Sequence, residues 1–195
     1  MRISKWLATA ILGAGMLVAS IAPASAAWFG LSEIRGGPAI SNGELIPGTY
    51  VIPQIDSFTF AGLESAQFDL YWKTPFPNVL RWIGSPRPFI GGIVSFTGRE
   101  SSFHWGWQWH VPVGNIFYLE GAVGNGIHNG LLSGATPPHR NLGCRYLYHW
   151  SAGVGANVTE RVTVTAQLQH MSNILAGCTP NDGMNHFGIS VGWKF

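Results

Sequence analysis

The chain has 195 residues, 11 basic and 9 acidic; only 10% are charged, while 46% are apolar, 13% aromatic and 26 are glycine. So few charges and so many apolar residues exclude a disordered chain, a highly charged nucleic-acid binder and an ordinary cytosolic enzyme surface. A single long apolar run and the lack of heptads exclude multi-span helical membrane proteins and coiled coils.

That run comes first. Arg2 and Lys5 precede the apolar stretch Trp6–Ile21, and Ala24-Ser25-Ala26 has the small-residue pattern of a cleavage site. Residues 1–26 therefore read as a secretory signal peptide and 27–195 as the mature domain. Removing Arg2 and Lys5 leaves nine basic residues against nine acidic ones, so the charge balance of the mature chain gives no argument for nucleic acid. Cys144 and Cys178 are the only cysteines. An exported protein permits a disulfide, and the sequence leaves the pairing open.

Alternation with a period of two then dominates the chain. Weaker strand signals lie at 31–40, 86–97 and 116–127. Residues 65–72 set Ala66, Phe68, Leu70 and Trp72 against Ser65, Gln67, Asp69 and Tyr71. Residues 102–111 set Phe103, Trp105, Trp107, Trp109 and Val111 against His104, Gly106, Gln108 and His110. Residues 145–156 set Tyr146, Tyr148, Trp150, Ala152, Val154 and Ala156 against Arg145, Leu147, His149, Ser151, Gly153 and Gly155. In 160–173, Val162, Val164, Ala166 and Leu168 oppose Thr163, Thr165, Gln167 and Gln169. The last segment sets Phe187, Ile189, Val191, Trp193 and Phe195 against His186, Gly188, Ser190, Gly192 and Lys194.

Eight strands of about ten residues, apolar on one face only, predict an all-β fold: an eight-stranded antiparallel transmembrane β-barrel. Eight strands leave an interior just filled by side chains, so no open pore is expected. The soluble alternative is a lipocalin-like barrel with its apolar face inside. Gln167, Gln169, His149, Arg145, Gln108 and Asp69 on the opposite face argue against it, because a small dry core does not accept them. The rows of Trp and the terminal Phe195 also favour lipid outside. Short turns at Pro112–Asn115 and Asn157–Glu160, against long loops at 41–62, 128–141 and 174–183, put the long loops at the cell surface. The 73–86 connection is long for the opposite end and is expected to hold irregular structure.

A polar pair interrupts the apolar face of strand seven. After Leu168 the same face continues with His170 and Ser172. Residues two apart on a strand lie about 6.6 Å apart and point the same way. An imidazole and a hydroxyl so placed suit a base and a nucleophile. In an outer-leaflet, lipid-facing position they are unfavourable without a purpose or a partner.

His170-Met171-Ser172-Asn173, followed by Pro180-Asn181-Asp182-Gly183 and a last amphipathic strand ending in Phe195, resembles the PagL family of lipid A 3-O-deacylases over residues 170–195. The resemblance implies a bacterial outer-membrane barrel with a lipid-facing site. It implies His170 as catalytic base, Ser172 as nucleophile, and Asn173 and Asn181 at the oxyanion site. Asn185 stands where the family pattern has Glu, with Asp182 as the alternative acid. Ile174-Leu175 replace the family's small residues after the Ser-Asn pair and alter the acyl groove. The implied activity is a serine–histidine esterase that removes the 3-position hydroxyacyl chain of lipid A, with no cofactor or metal. The implied partner is lipid A, or lipopolysaccharide, in the outer leaflet around a membrane-embedded chain, with no nucleic acid and with a homodimer left open.

Two other functions compete. The missing Glu suits a non-enzymatic small barrel with a structural or adhesive role. Another acyl ester, as for a phospholipase, suits the same His–Ser pair. Arg140, in the 128–141 loop, is a candidate for lipid phosphates or a solvated loop cation. Glu120 and Arg145 are expected in a lumen ion-pair network. His104, His110, His149 and His186 are expected inward, in lumen hydrogen bonds rather than around a metal.

Overall fold

The computed structural model describes residues 30–41, 43–44, 52–58, 62–174 and 176–195. The signal peptide at 1–26 and Leu175 of the altered groove lie outside the described residues.

Alternation becomes strand wherever it was strong. The strands are β1 (Leu31–Ile40), β2 (Ser65–Trp72), β3 (Arg87–Ser95), β4 (Ser102–Val113), β5 (Phe117–His128), β6 (Tyr146–Asn157), β7 (Val162–Ser172) and β8 (Met184–Lys194). Each pairs antiparallel with its neighbours in sequence, and β1 closes on β8, for example Arg35 opposite Gly192. The fold is a closed eight-stranded antiparallel barrel with no free edge. Closure satisfies the backbone groups that lipid would otherwise strand.

The two faces separate as the pattern requires. On β7, Thr163, Thr165, Gln167 and Gln169 are buried in the lumen, while Val164 on the opposite face is exposed. Phe68, Phe103, Trp107, Val123, Val154 and Ile189 are likewise exposed. Polar residues inside and apolar residues outside invert the lipocalin arrangement and match a wall solvated by hydrocarbon. The described residues hold no helix long and apolar enough to cross a membrane.

The lumen is polar and filled. Arg35 donates to Glu33 at 2.8 Å and to both carboxylate oxygens of Glu120 at 2.7 and 2.8 Å. Arg87 donates to Glu33 at 2.7 Å, and Thr163 does so at 2.8 Å. Buried charges persist only when paired and hydrogen-bonded in this way. Gly192 makes room for the network, since a Cβ there would lie 2.7 Å from the Glu33 carboxylate. Higher in the barrel, His104 meets Asp69 at 3.2 Å and His149 meets Gln169 at 3.3 Å. The His104 and His149 rings stack with centroids 4.4 Å apart. His186 Nδ1 lies 3.0 Å from Ser41 Oγ.

Arg145 corrects the expected network. It precedes β6, is exposed, and donates to the carbonyls of His128 and Gly130 at 2.8 and 2.7 Å. Strand parity placed it inward, but the strand had not yet begun. Arg35, on one of the weaker strands, is the partner of Glu120 instead.

The connections sort to two ends. The described residues of those joining β1 to β2, β3 to β4, β5 to β6 and β7 to β8 share one end; those at 73–86, 114–116 and 158–161 share the other. The long 73–86 connection contains a short helix, Pro77–Leu80, and a 3-10 turn, Arg81–Ile83. It is tied to the wall where Trp109 Nε1 donates to Ile83 O at 2.6 Å. At the long-loop end a disulfide joins Cys144 to Cys178, with Cα atoms 5.7 Å apart. It clamps the β5–β6 loop to the β7–β8 loop.

Candidate active site

Strand parity puts His170 and Ser172 on the outer face of β7, in line with Val162 to Leu168. Both are nevertheless buried, at 1% and 2% exposure. Described residues of the long loops, Gly43, Arg140, Leu142 and Gly183, lie against this part of the outer wall. The site is therefore on the hydrocarbon side of the barrel but beneath protein.

Register selects the neighbours. His170 lies opposite Asn185 of β8 on one side and Trp150 of β6 on the other. Asn185 is wholly buried, and its Oδ1 is 2.7 Å from His170 Nδ1. Its Nδ2 donates to the Gly43 carbonyl at 2.9 Å. That carbonyl only accepts, so the amide must present nitrogen to Gly43 and oxygen to the imidazole. An oxygen at Nδ1 requires the proton there. The Nε2 lone pair is then free to accept, and Nε2 has no hydrogen-bond partner among the described residues. Arg140 Nη2 donates to the same Gly43 carbonyl at 2.8 Å and holds it in place. The Trp150 ring packs beside the imidazole, centroids 5.9 Å apart.

The loop after β7 is fixed from several directions. Asn173 donates its backbone N–H to Asn181 Oδ1 at 3.2 Å and its side-chain amide to Leu142 O at 2.7 Å. Gly183, at φ +65°, lies against the pair: a Cβ there would stand 3.0 Å from His170 Cε1 and 3.7 Å from Ser172 Cβ. Behind the pair, Met171, Met184, Leu142 and Leu147 form a buried apolar cluster.

The structure thus brings His170, Asn185 and Ser172 to one spot, with Asn173 and Asn181 on the adjoining loop. It does not bring Asp182 to the imidazole. The Asp182 carboxylate accepts from the Asn141 backbone N–H at 2.7 Å and from its side chain at 3.1 Å, joining two loops instead. Arg140 is not a solvated loop cation: its side chain is mostly buried on Gly43, with Glu44 at 3.7 Å. Gly43, Leu142 and Trp150 escaped sequence reasoning. The first two act through backbone carbonyls, which no side-chain pattern reports. Among the described residues no group of three or more His, Cys, Asp or Glu is placed to hold a metal ion.

The geometry is that of a closed barrel with a buried His–Asn pair and a buried serine on its outer wall. Residues 65–194 match the family model for lipid A 3-O-deacylase (PagL). The chain belongs to that family. It is similar in fold to the crystal structure of the outer membrane enzyme PagL, with a TM-score of 0.52 at 14% identity over 84% of this chain and 100% of that one. It is also similar to the Yersinia pestis outer membrane protein Ail (TM-score 0.42, 10% identity, 84% of this chain and 99% of that one). De novo designed transmembrane β-barrels give 0.46 at 8% identity over 85% and 96%. No curated protein matches the chain.

Proposed function

We propose that the protein is an outer-membrane esterase that removes the ester-linked 3-position hydroxyacyl chain of lipid A. The long-loop end faces outward, which sets the His170–Ser172 face in the outer leaflet beside the acyl chains. One observation carries the reading above all: Asn185, held by Gly43, accepts from His170 Nδ1 and leaves Nε2 as a base. A structural or adhesive barrel offers no reason to bury this polar arrangement on a wall otherwise built for lipid.

The chemistry follows from the residues. Ser172 lies one strand repeat from His170 on the same face, so side-chain rotation brings its hydroxyl to Nε2. His170 takes the hydroxyl proton as Ser172 Oγ attacks the ester carbonyl. The tetrahedral oxyanion forms beside the Asn173–Asn181 loop. One N–H of the Asn173 amide is spent on Leu142; the second, with the Asn181 amide N–H groups, remains to stabilise the developing charge. His170 then protonates the leaving sugar oxygen, which breaks the ester and leaves a hydroxyacyl group on Ser172. Water, activated by the same imidazole, hydrolyses this acyl-enzyme. The products are a 3-hydroxy fatty acid and free enzyme.

Asn185 differs from a carboxylate in one respect. It orients the ring and fixes the tautomer, but it offers a dipole rather than a charge to the imidazolium. The enzyme therefore works more slowly than a relative with Glu at this place. The test is trapping: purified protein mixed with lipid A, quenched in acid and digested, yields a Ser172 peptide heavier by one 3-hydroxyacyl group. A modification on any other residue, with Ser172 unmodified, refutes the assignment.

A further inference from the structure

The mouth at the short-turn end has no part in the chemistry above. A cavity of about 350 Å³ opens there, lined by residues that include Glu33, Trp72, Lys73, Arg87, Gln108 and Lys194. Its one carboxylate is spent, and His110, whose Nδ1 has no partner among the described residues, also lines it. The Glu33 carboxylate is 1% exposed and is taken by Arg35, Arg87 and Thr163.

Its donors are not spent. Arg87 uses Nε on Gln108 Oε1 at 2.6 Å and Nη1 on Glu33 at 2.7 Å, while its buried Nη2 has no acceptor among the described residues. Giving Oε1 to Arg87 turns the other end of the Gln108 amide outward from that bond. Gln108 is 1% exposed, and its Nε2 also lacks an acceptor. Lys194 donates to Asn157 Oδ1 at 2.5 Å, which leaves two of its three ammonium protons. Lys73 stands exposed at the rim. Charge agrees with this count. Among the residues lining the cavity, Lys73, Arg87 and Lys194 stand against the single carboxylate of Glu33.

We infer that this mouth binds a phosphate group. Nitrogen donors with surplus positive charge and no free carboxylate call for a multi-oxygen anion, and a guanidinium edge beside ammonium groups fits phosphate. Two sources carry that chemistry: a phospholipid headgroup or a soluble phosphate. The lipid source has support nearby. The 73–86 connection bordering the cavity exposes Phe76, Val79 and Trp82, side chains that favour a membrane interface.

The experiment uses the mature protein in a phosphate-free maltoside detergent, titrated by calorimetry and phosphorus NMR. One arm uses inorganic phosphate and the other a short-chain phosphatidylglycerol. Saturable binding is expected, weakened about tenfold or more in Lys73→Gln and in Lys73→Gln/Arg87→Gln, and unchanged in Arg99→Gln at the opposite end. Lys73 makes no side-chain bond among the described residues, so its variant folds even if the double variant does not. Saturation by both probes assigns the site to the phosphate group itself; saturation by the lipid alone assigns it to a headgroup. No saturation by either, wild-type affinity in Lys73→Gln, or an equal loss in Arg99→Gln overturns the inference.

Discussion

Replacing Asn185 by Leu isolates what the amide does. The shape is nearly kept, but two buried hydrogen bonds disappear: the 2.7 Å bond to His170 and the 2.9 Å bond to Gly43. Gly43 retains Arg140 at 2.8 Å, so its loss is partial. His170 retains nothing, because Nε2 already lacks a partner. An orphaned buried donor costs about 1–3 kcal/mol and the partial loss about 1 kcal/mol, so stability falls by about 2–4 kcal/mol. The rate falls further, because either nitrogen now carries the proton and the ring is no longer held. In serine triads an imidazole locked in the wrong tautomer loses about 10⁴ in rate, part of it through charge that Asn never supplied. A loss of about 10²–10³ in kcat/KM, mostly in kcat, is therefore expected here. Asn185→Asp gives the contrast. It keeps the acceptor and adds charge for the imidazolium, so kcat in the folded fraction rises about tenfold. It also sets a carboxylate oxygen against the Gly43 carbonyl, so stability drops. The assay is release of 3-hydroxy fatty acid from lipid A by protein whose folding is checked by heat-modifiable gel mobility. A folded Leu variant within roughly threefold of wild type refutes the orienting role.

Asp182→Ala should leave kcat within about threefold, since that carboxylate serves Asn141 rather than the imidazole; abolished turnover in a folded variant would restore it as the acid. Gly183→Ala should lower activity about tenfold or more, because the new methyl stands 3.0 Å from His170 Cε1 at a left-handed φ; unchanged steady-state rates would show that the loop yields at no cost. Reducing the disulfide, which closes a loop over a separation of 34 residues, should lower the stability of the two joined loops by about 3–4 kcal/mol. Hydrogen exchange in 129–145 and 173–183 measures it, and exchange that does not change on reduction would contradict a clamping role.

The barrel was legible because its period of two is enforced by two solvents at once. Lipid demands Val164 and Ile189 outside, and a polar lumen demands Gln167 and Ser190 inside. Strand ends were less legible. Arg145 continued the alternation on paper, but hydrogen-bonds to the loop carbonyls of His128 and Gly130 before β6 begins. The 73–86 connection betrayed itself by length, and its helix only by coordinates. Within the candidate site, the meeting of His170 and Asn185 was legible because strand parity sets both on the outward face of neighbouring strands. What holds them was not visible. Gly43 lies 142 positions from Asn185 in sequence and acts through a carbonyl, and side-chain chemistry gives no sign of such a bond. Asp182 is the nearest carboxylate in sequence, but nearness in sequence does not tell which group its carboxylate ties, and that group is Asn141.

The most direct measurement is the mass of lipid A from cells carrying the wild-type protein and, in parallel, Ser172→Ala, both shown to be folded in the outer membrane. Lipid A lighter by one 3-hydroxyacyl group with the wild type, and unaltered with the variant, is the predicted outcome. Full-mass lipid A with folded wild-type protein, or the same loss with Ser172→Ala, would contradict a hydrolase built on the outer wall of this barrel.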